Sequence, residues 1–212
     1  MDGKEEEEET NPPDVEVTKT YIHLNGTSAE IDGDYAQMNG NVITITHSGE
    51  FWIDGTLSDG QIAVNIPDET ADAETVKLFL NGASITGKSA PAIYVANAEN
   101  TSVNLVDGTE NMLSDGDTAY SGDWLEAAVI EAKDDITIKG GELGTGSLIL
   151  TANMQDGIFC NNDLKITGGN IDISTLNAEL ESDAVKGKSS LTIKGGNITV
   201  DAEGDALKSS KG

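Results

Sequence analysis

The hexapeptide Ile136-Thr-Ile-Lys-Gly-Gly141 returns with small changes as Leu164-Lys-Ile-Thr-Gly-Gly169 and as Leu191-Thr-Ile-Lys-Gly-Gly196. The three copies begin 28 and 27 residues apart, and each places apolar residues at alternate positions before a glycine turn. This pattern is typical of a short β-strand with one buried face. It also occurs earlier, at Val76–Gly82 and Val103–Gly108. The chain is therefore expected to be a repeat protein built from strands.

Two further alternating segments recur with the same period. One follows the glycine turn, as at Leu148–Leu150 and Ile171–Ile173, and the other reads Gly157-Ile-Phe159, Ala184-Val-Lys186 and Ala206-Leu-Lys208. Three strands in a repeat of about 27 residues predict an all-β fold, a right-handed single-stranded parallel β-helix of about six coils. The first full coil is expected to open at Ile43-Thr-Ile45, and the inner positions of the third segment to be Ile93, Val129, Ile158, Val185 and Leu207.

The chain divides into two parts by composition. Residues 1–17 read MDGKEEEEETNPPDVEV and are expected to form an acidic, disordered tail or linker, because they contain too few apolar residues for a core. Residues 18–212 are expected to form the β-helix domain, whose repeat stops partway through a coil at Gly212. An open last coil suggests a truncated domain or one covered by another molecule, so end-to-end self-association is a further expectation.

The charge of the chain limits its partners. The formal net charge is −26, with 38 acidic residues against 12 lysines and no arginine. A nucleic-acid partner is excluded, because neutralising phosphates requires a basic surface. The single cysteine, Cys160, has no partner for a disulfide. No apolar run is long enough for a transmembrane helix.

Aspartates recur at one corner of the repeat. Asp156, Asp183 and Asp205 begin the third segment in three successive repeats, so their charges are expected to lie one strand spacing apart and to repel each other. A calcium ion, which binds several oxygen ligands, would relieve this repulsion. Alternatively, the aspartates form turns and accept hydrogen bonds from backbone amides, with Lys186 and Lys208 as surface partners.

A second acidic group falls in the repeat of 33 residues that begins at Val103. Asp107, Asp115, Asp117 and Asp123 occur there with Asn111, Tyr120 and Trp124, in what we expect to be a long loop. Asp115, Asp117 and Asp123 are further candidate calcium ligands, although the spacing lacks the glutamate of an EF-hand. Trp124 either stacks on a sugar ring or covers the loop.

A third set of residues is expected to point outward beside the aspartates. It contains Tyr94, Ile130, Phe159, Lys186 and Lys208. Rings followed by lysines suit an extended polysaccharide, with sugar faces on the rings and uronate carboxylates on the lysines. Alternatively, Tyr94 and Phe159 pack beneath a neighbouring loop. Tyr94, Trp124, Phe159, Lys186 and Lys208 are the candidate carbohydrate-binding residues. His23 and His47 lie in no catalytic or metal motif.

Several ordered segments resemble those of a known family: Gly55-Thr-Leu-Ser-Asp-Gly-Gln-Ile62, Leu80-Asn-Gly-Ala-Ser-Ile85, Ala90-Pro-Ala-Ile-Tyr-Val95, Asp134-Asp-Ile-Thr-Ile138 and Asp156-Gly-Ile158. Together they are similar to secreted bacterial carbohydrate-binding domains with a pectate-lyase-like parallel β-helix, over roughly Tyr21 to Gly212. The resemblance implies binding of plant cell-wall polysaccharide, cellulose or pectin-like, with calcium at aspartate-rich turns and without clear lyase activity. The chain departs from the Asp-Gly-Ile pattern at Asp183-Ala-Val185 and Asp205-Ala-Leu207.

Three functions follow as hypotheses. The first is a non-catalytic polysaccharide-binding module at the bacterial cell surface, outside the cell and assisted by calcium. The second is a structural adhesin or filament subunit that assembles through open coil ends. The third is a calcium-dependent polysaccharide lyase, which the absence of arginine disfavours because a lysine would have to act as the base. We therefore expect a protein that is not an enzyme.

Overall fold

The computed structural model describes residues 18–116, 118–120 and 124–211. The acidic tail, Asp117 and Asp123 lie outside the described residues. The strands of the first half are β1 Lys19–Gly26, β2 Ser28–Asp32, β3 Ala36–Asn39, β4 Val42–Ile45, β5 Gly49–Leu57, β6 Gln61–Asn65, β7 Thr75–Gly87, β8 Ile93–Asn97, β9 Asn100–Leu105 and β10 Glu110–Asp115. Those of the second half are β11 Ile130–Ala132, β12 Asp135–Gly140, β13 Ser147–Ala152, β14 Ile158–Cys160, β15 Asp163–Ile166, β16 Asn170–Thr175, β17 Val185–Gly187, β18 Ser190–Ile193, β19 Asn197–Asp201 and β20 Leu207–Ser209. A 3-10 helix spans Ala178–Leu180.

The strands form two sheets. The larger has 12 strands, and its central order is β18-β15-β12-β9-β7-β10-β13-β16-β19. Strand β7 pairs with β9 through Thr75–Leu80 and with β10 through Ser84–Gly87, so the sheet continues around a corner as an open half-barrel. We call β9, β12, β15 and β18, with the first half of β7, the first limb. The second limb comprises β10, β13, β16 and β19, with the second half of β7.

The smaller sheet has eight strands in the order β20-β17-β14-β11-β8-β6-β4-β3. Its pairs are parallel except for β3 with β4, and β1 with β2 is the corresponding antiparallel pair in the large sheet. Parallel pairing in register confirms the repeat itself, since Ile136 pairs with Leu164 and Leu164 with Leu191.

The prediction of a single-stranded β-helix with about six coils and three strands per coil was wrong. The first two predicted strand registers belong to one continuous sheet, and two antiparallel pairs interrupt the parallel order. The reason lies in β5 and β7, which bend without ending at Gly55 and Gly82, where φ is +83° and +80°. Because hydrogen bonding continues through these bends, no separate third sheet forms in this part of the chain.

Two predicted positions shift within the small sheet. Ile130, not Val129, pairs with Ile93 and Ile158 at the inner position, so the outward residue of that strand is Glu131 and not Ile130. Ile43 lies in β4 of the small sheet and pairs with Ile62. It is therefore not the counterpart of Val76, which pairs with Gly49 in the large sheet.

The core between the sheets is largely aliphatic and contains Phe51 as its largest side chain. In most strands isoleucine, leucine and valine occupy alternate positions and are buried where they face inward, whereas the last repeat buries them only in part and leaves Leu207 48% exposed. Burial on this scale supplies most of the stability of a protein, at about 25 cal/mol per Å² of apolar surface. Among the described residues, no helix has the length and apolar character needed to cross a membrane.

Candidate functional site

The aspartates at the corner of the repeat hold the backbone of the next repeat. The amide of Asp183 donates to Asp156 Oδ1 at 2.9 Å, and the amide of Asp205 donates to Asp183 Oδ1 at 2.9 Å. Asp156 and Asp183 are buried, whereas Asp205 is exposed. The geometry is that of turn-forming aspartates, one of the two alternatives that the sequence left open.

Lysines neutralise these aspartates. Lys208 Nζ lies 3.0 Å from Asp183 Oδ2 and 3.2 Å from Asp205 Oδ2, and these hydrogen bonds raise the pKa of Lys208. Lys186 Nζ lies 3.0 Å from Glu126 Oε2 and 3.9 Å from Asp156 Oδ2. Oδ2 of Asp156 is buried without a hydrogen bond, and burial raises the pKa of this carboxyl to about 6. The two candidate sugar-binding lysines are therefore engaged by carboxylates of the protein.

Asp115 also accepts backbone hydrogen bonds, in the large sheet. It ends β10, and its carboxylate accepts hydrogen bonds from the amides of Asn153 and Met154, at 2.6 and 3.1 Å, and from the Tyr120 hydroxyl. Burial raises its pKa, and these bonds partly oppose the shift. Within the described ranges, no group of three or more histidine, cysteine, aspartate and glutamate side chains is placed to hold a metal ion. The calcium ligands thus remain a prediction.

The predicted aromatic site lies on the outward side of the small sheet. Tyr94 and Trp124 contact edge to face with ring centroids 4.8 Å apart, and Tyr120 lies 6.4 Å beyond Trp124. Phe159 has no exposed surface, so its ring offers no face to a sugar in this arrangement. Lys186 Nζ lies 5.6 Å from the centre of that ring.

A short segment is tied down next to these rings. We call residues 124–127 the strap. Its amides at Leu125 and Ala127 donate to the carboxylate of Glu131, at 2.7 and 3.0 Å, and Glu131 is fully buried. The burial of Phe159 and the fixed strap favour the alternative in which Tyr94 and Phe159 are packed against a neighbouring segment.

The outward face of the second limb contains a groove that the sequence did not indicate. Two hollows of about 330 and 260 Å³ adjoin along it and share Ile149. We call this groove the trough. Met112, which is 48% exposed, pairs with Ile149, so the middle of the central column is apolar, between Ser84 on one side and Asp172 and Thr199 on the other. Polar columns flank the centre: Thr86, Ser114, Thr151 and Ser174 on one side, and Ser147, Asn170 and Asn197 on the other.

Many of the polar groups in the trough have open hydrogen-bonding positions. In the described part of the chain, the hydroxyls of Thr151, Ser174 and Thr199 make no hydrogen bond to protein. The carboxylates that line the trough are Glu110 and Asp172. Strand pattern could have placed the residues of β13, β16 and β19 on one face, because they alternate with inward apolar residues, but β10 was not recognised as a strand, since two of its inward residues are polar.

The outward face of the first limb, together with the adjoining strands β5 and β1, has a different chemistry. Tyr21, Trp52 and Phe79 occupy one column on adjacent strands, and Trp52 stacks on Phe79 with a centroid distance of 4.3 Å and an interplanar angle of 5°. The sequence signal was available, because each ring lies between two inward residues of a strand. Trp52 Nε1 is buried and has no hydrogen-bond partner among the described residues.

The same face carries lysines further along the limb. Lys139 pairs with Asn104 and so continues the column that contains the aromatic rings. Lys165 pairs with Thr137 in the neighbouring column. Lys194 directly follows Ile193, which pairs with Ile166. We call these three residues the lysine face. In the described structure, none of them forms an ion pair or a side-chain hydrogen bond.

Comparison with known proteins shows that this chain matches a family model. The model of a family described as carbohydrate-binding domain-containing protein matches residues 39–212. A protein of the same description from Acetivibrio thermocellus is 41% identical over 134 residues, which are 62% of this chain and 44% of that protein. The chain thus spans less than half the length of this curated relative.

A solved structure extends the likeness to the fold. It is described as the polysaccharide lyase-like protein from C. thermocellum, gadolinium derivative, and it matches 90% of this chain and 73% of its own with a TM-score of 0.80 and 36% identity. The family match and the shared fold lead to one conclusion: the chain belongs to the family of carbohydrate-binding domain-containing proteins.

Proposed function

We propose that the domain binds an extended polysaccharide in the trough of the second limb. The observation that carries this proposal is the row of outward hydroxyl and amide groups on both sides of Met112 and Ile149. Sugars combine apolar ring faces with hydroxyls that donate and accept hydrogen bonds, and sites for such ligands pair apolar surface with a few polar groups. Strands repeat about every 4.8 Å, so the same contacts recur along an extended chain.

The trough favours a neutral polysaccharide, such as a cellulose-like chain. Its charged residues are Glu110 and Asp172, and a uronate polymer would meet like charges at both. Like charges in close contact are unfavourable unless a cation lies between them. A pectin-like ligand in the trough would therefore depend on a bridging cation.

We also propose that binding occurs without cleavage. Lyase chemistry requires a base beside a uronate whose carboxylate is neutralised. The residues that line the trough include no lysine, and the chain contains no arginine. The naming of the family for carbohydrate binding supports this proposal, although the solved relative is described as lyase-like.

Calcium assistance and a location at the bacterial cell surface belong to the same proposal. The calcium prediction concerns Asp115, Asp117 and Asp123 and the corner aspartates Asp156, Asp183 and Asp205. The description of the solved relative as a gadolinium derivative supports it, because lanthanide ions are hard cations that bind oxygen ligands, as Ca²⁺ does. Retention on polysaccharide that is the same with calcium and with chelator would contradict this part.

The trough is tested with a pair of variants that carry the same change in charge. Met112→Glu with Thr199→Glu adds two carboxylates at exposed positions of the trough, and Ser58→Glu with Asn162→Glu adds two at exposed turns elsewhere. We expect the first variant to lose at least about tenfold in affinity for insoluble neutral polysaccharide, which corresponds to about 1.4 kcal/mol. The second variant should bind as the unmodified protein does. Equal binding by both variants would contradict the proposal.

The absence of cleavage is tested in parallel. Unmodified protein incubated with polygalacturonate, with and without calcium, should produce no unsaturated ends, which absorb in the ultraviolet. Accumulation of such product in proportion to protein would show that the domain is a lyase.

A further inference from the structure

The lysine face differs from the ion-paired lysines of the described structure. Lys186 and Lys208 are held by carboxylates at 3.0 Å, and Lys19 and Lys77 both lie 3.6 Å from Glu50. Lys139, Lys165 and Lys194 have no such partner, although the chain as a whole carries a net charge of −26. Unpaired cations gathered on one flat face of so acidic a protein are available to an external anion.

The geometry of the face suits a chain-like ligand. Lys139 lies in β12 and Lys194 directly follows β18, two strand spacings away, which places their backbones about 10 Å from each other. Lys165 lies on the strand between them, in the adjacent column. Thr137 and Thr192 flank Lys165 on neighbouring strands and supply hydroxyls. A polymer that crosses the strands would meet a positive charge at each of three successive strands.

Two aspartates near the face each accept a hydrogen bond with one carboxylate oxygen. Asp135 and Asp163 lie in the next outward column, where Asp135 Oδ1 accepts the amide of Asp163 and Asp163 Oδ1 accepts the Ser190 hydroxyl. More distant carboxylates are screened, since the Debye length is about 8 Å at physiological ionic strength. The three lysines outnumber these two carboxylates, so the face is locally positive despite the charge of the whole chain.

We propose that the lysine face is a second binding surface, separate from the trough, for a polysaccharide that carries carboxylates. The proposal builds on polysaccharide binding by this domain and assigns the acidic ligand to the first limb. Lysine ammonium groups bind carboxylates as point charges with adaptable geometry, which tolerates the varied orientation of uronates along a flexible chain. The trough, lined by Glu110 and Asp172, takes neutral chains.

The test compares two triple variants of equal charge. Lys139→Gln, Lys165→Gln and Lys194→Gln remove the lysine face, whereas Lys88→Gln, Lys188→Gln and Lys211→Gln remove three lysines elsewhere. Affinity for soluble polygalacturonate is measured in chelator at physiological salt. We expect the first variant to lose about tenfold, from three modest charge contacts, and the second less than about twofold. Equal losses would show that overall charge accounts for binding, and no binding by the unmodified protein would equally overturn the proposal.

A competition experiment distinguishes this proposal from the binding proposed for the trough. A neutral oligosaccharide that occupies the trough should leave polygalacturonate bound to the unmodified protein. Displacement would mean that both ligands share one site, which would overturn the second surface while leaving polysaccharide binding intact. Failure to retain neutral polysaccharide, together with retained binding of polygalacturonate, would instead overturn only the function proposed for the trough.

Discussion

Asn111 uses each of its hydrogen-bonding positions at the corner between the two halves of β7. Its Oδ1 accepts the amides of Gly82 and Ala83, both at 2.9 Å, and its Nδ2 donates to Thr109 Oγ1 and to the carbonyl of Ser147. The side chain is fully buried in an inward position of β10. A polar residue in the core is tolerated here because no hydrogen-bonding group is left without a partner.

Replacement of Asn111 is therefore expected to destabilise the domain strongly. Asn111→Ala leaves two amides and a carbonyl without partners, and we expect a loss of about 2 to 4 kcal/mol in the free energy of unfolding. Chemical denaturation measures this loss. Asn162→Ala, at an exposed turn, serves as the control and should change stability by less than about 0.5 kcal/mol. Comparable stability of both variants would contradict the role of Asn111.

Asp156 gives the domain a characteristic pH dependence. Burial raises its pKa to about 6 in the folded protein, against about 3.9 in the unfolded chain. Because the folded state holds the proton more tightly, stability falls as pH rises from about 4 through 6 and stays lower above. We expect Asp156→Asn to remove this fall, which amounts to about 1 to 3 kcal/mol.

The measurement compares the free energies of unfolding of the unmodified protein and of Asp156→Asn between pH 4 and 7. The Asn side chain retains the acceptor for the amide of Asp183, so the difference between the proteins isolates the charge. Asp201→Asn, at an exposed strand position, should leave the pH profile unchanged. A profile of Asp156→Asn parallel to that of the unmodified protein would contradict the assignment.

The bend in β5 can be tested with two glycines of similar conformation. A Cβ at Gly55 would lie 2.2 Å from the carbonyl oxygen of Leu24, whereas a Cβ at Gly82 would meet nothing within 4 Å. Both residues have φ near +80°, so both alanine variants incur the cost of a left-handed backbone, about 1 to 2 kcal/mol. Gly55→Ala should lower the melting temperature clearly more than Gly82→Ala, and equal shifts would show that the close approach of β1 is unimportant.

The strap depends on one buried carboxylate. Glu131→Gln leaves one acceptor oxygen for the two amides of Leu125 and Ala127, and hydrogen bonds to charged groups contribute about 1.5 to 3 kcal/mol. We expect the amide hydrogens of the strap to exchange at least about tenfold faster, as measured by hydrogen exchange. Glu142→Gln, in an exposed turn, is the control. Unchanged exchange at Leu125 and Ala127 would contradict the anchoring role.

Local sequence patterns predicted most strands but not how they join. Alternating apolar residues identified β7, β12, β15 and β18, because each buries one face. Strand β10 was missed and read as loop, since two of its inward residues are the polar Asn111 and Asp115. The register of β11 was set one residue early because Ala128, Val129 and Ile130 are all buried and show no alternation. The merged large sheet followed from backbone bends, which apolar periodicity does not encode.

The pairing of charges differs among the faces of the molecule. Carboxylates line the trough, Lys186 and Lys208 pair with carboxylates along the small sheet, and the first limb carries the unpaired Lys139, Lys165 and Lys194 as well as Lys77, which pairs with Glu50. From sequence, net charge and composition indicated an acidic protein without nucleic-acid partners, but the pairing of Lys186 and Lys208 depends on contacts between successive repeats. For the same reason the candidate sugar-binding residues at Tyr94, Trp124 and Phe159 stay a prediction, and the trough is the stronger candidate. Self-association through the ends of the sheets also stays a prediction.

Methyl NMR of methionine provides the most direct test of binding in the trough. Met112 lies in the trough, whereas Met38 and Met154 lie outside its lining. On addition of a neutral oligosaccharide to protein labelled at methionine methyl groups, we expect the Met112 signal to shift with saturation while the signals of Met38 and Met154 remain in place. An unshifted Met112 signal under conditions in which the oligosaccharide is bound would contradict the account.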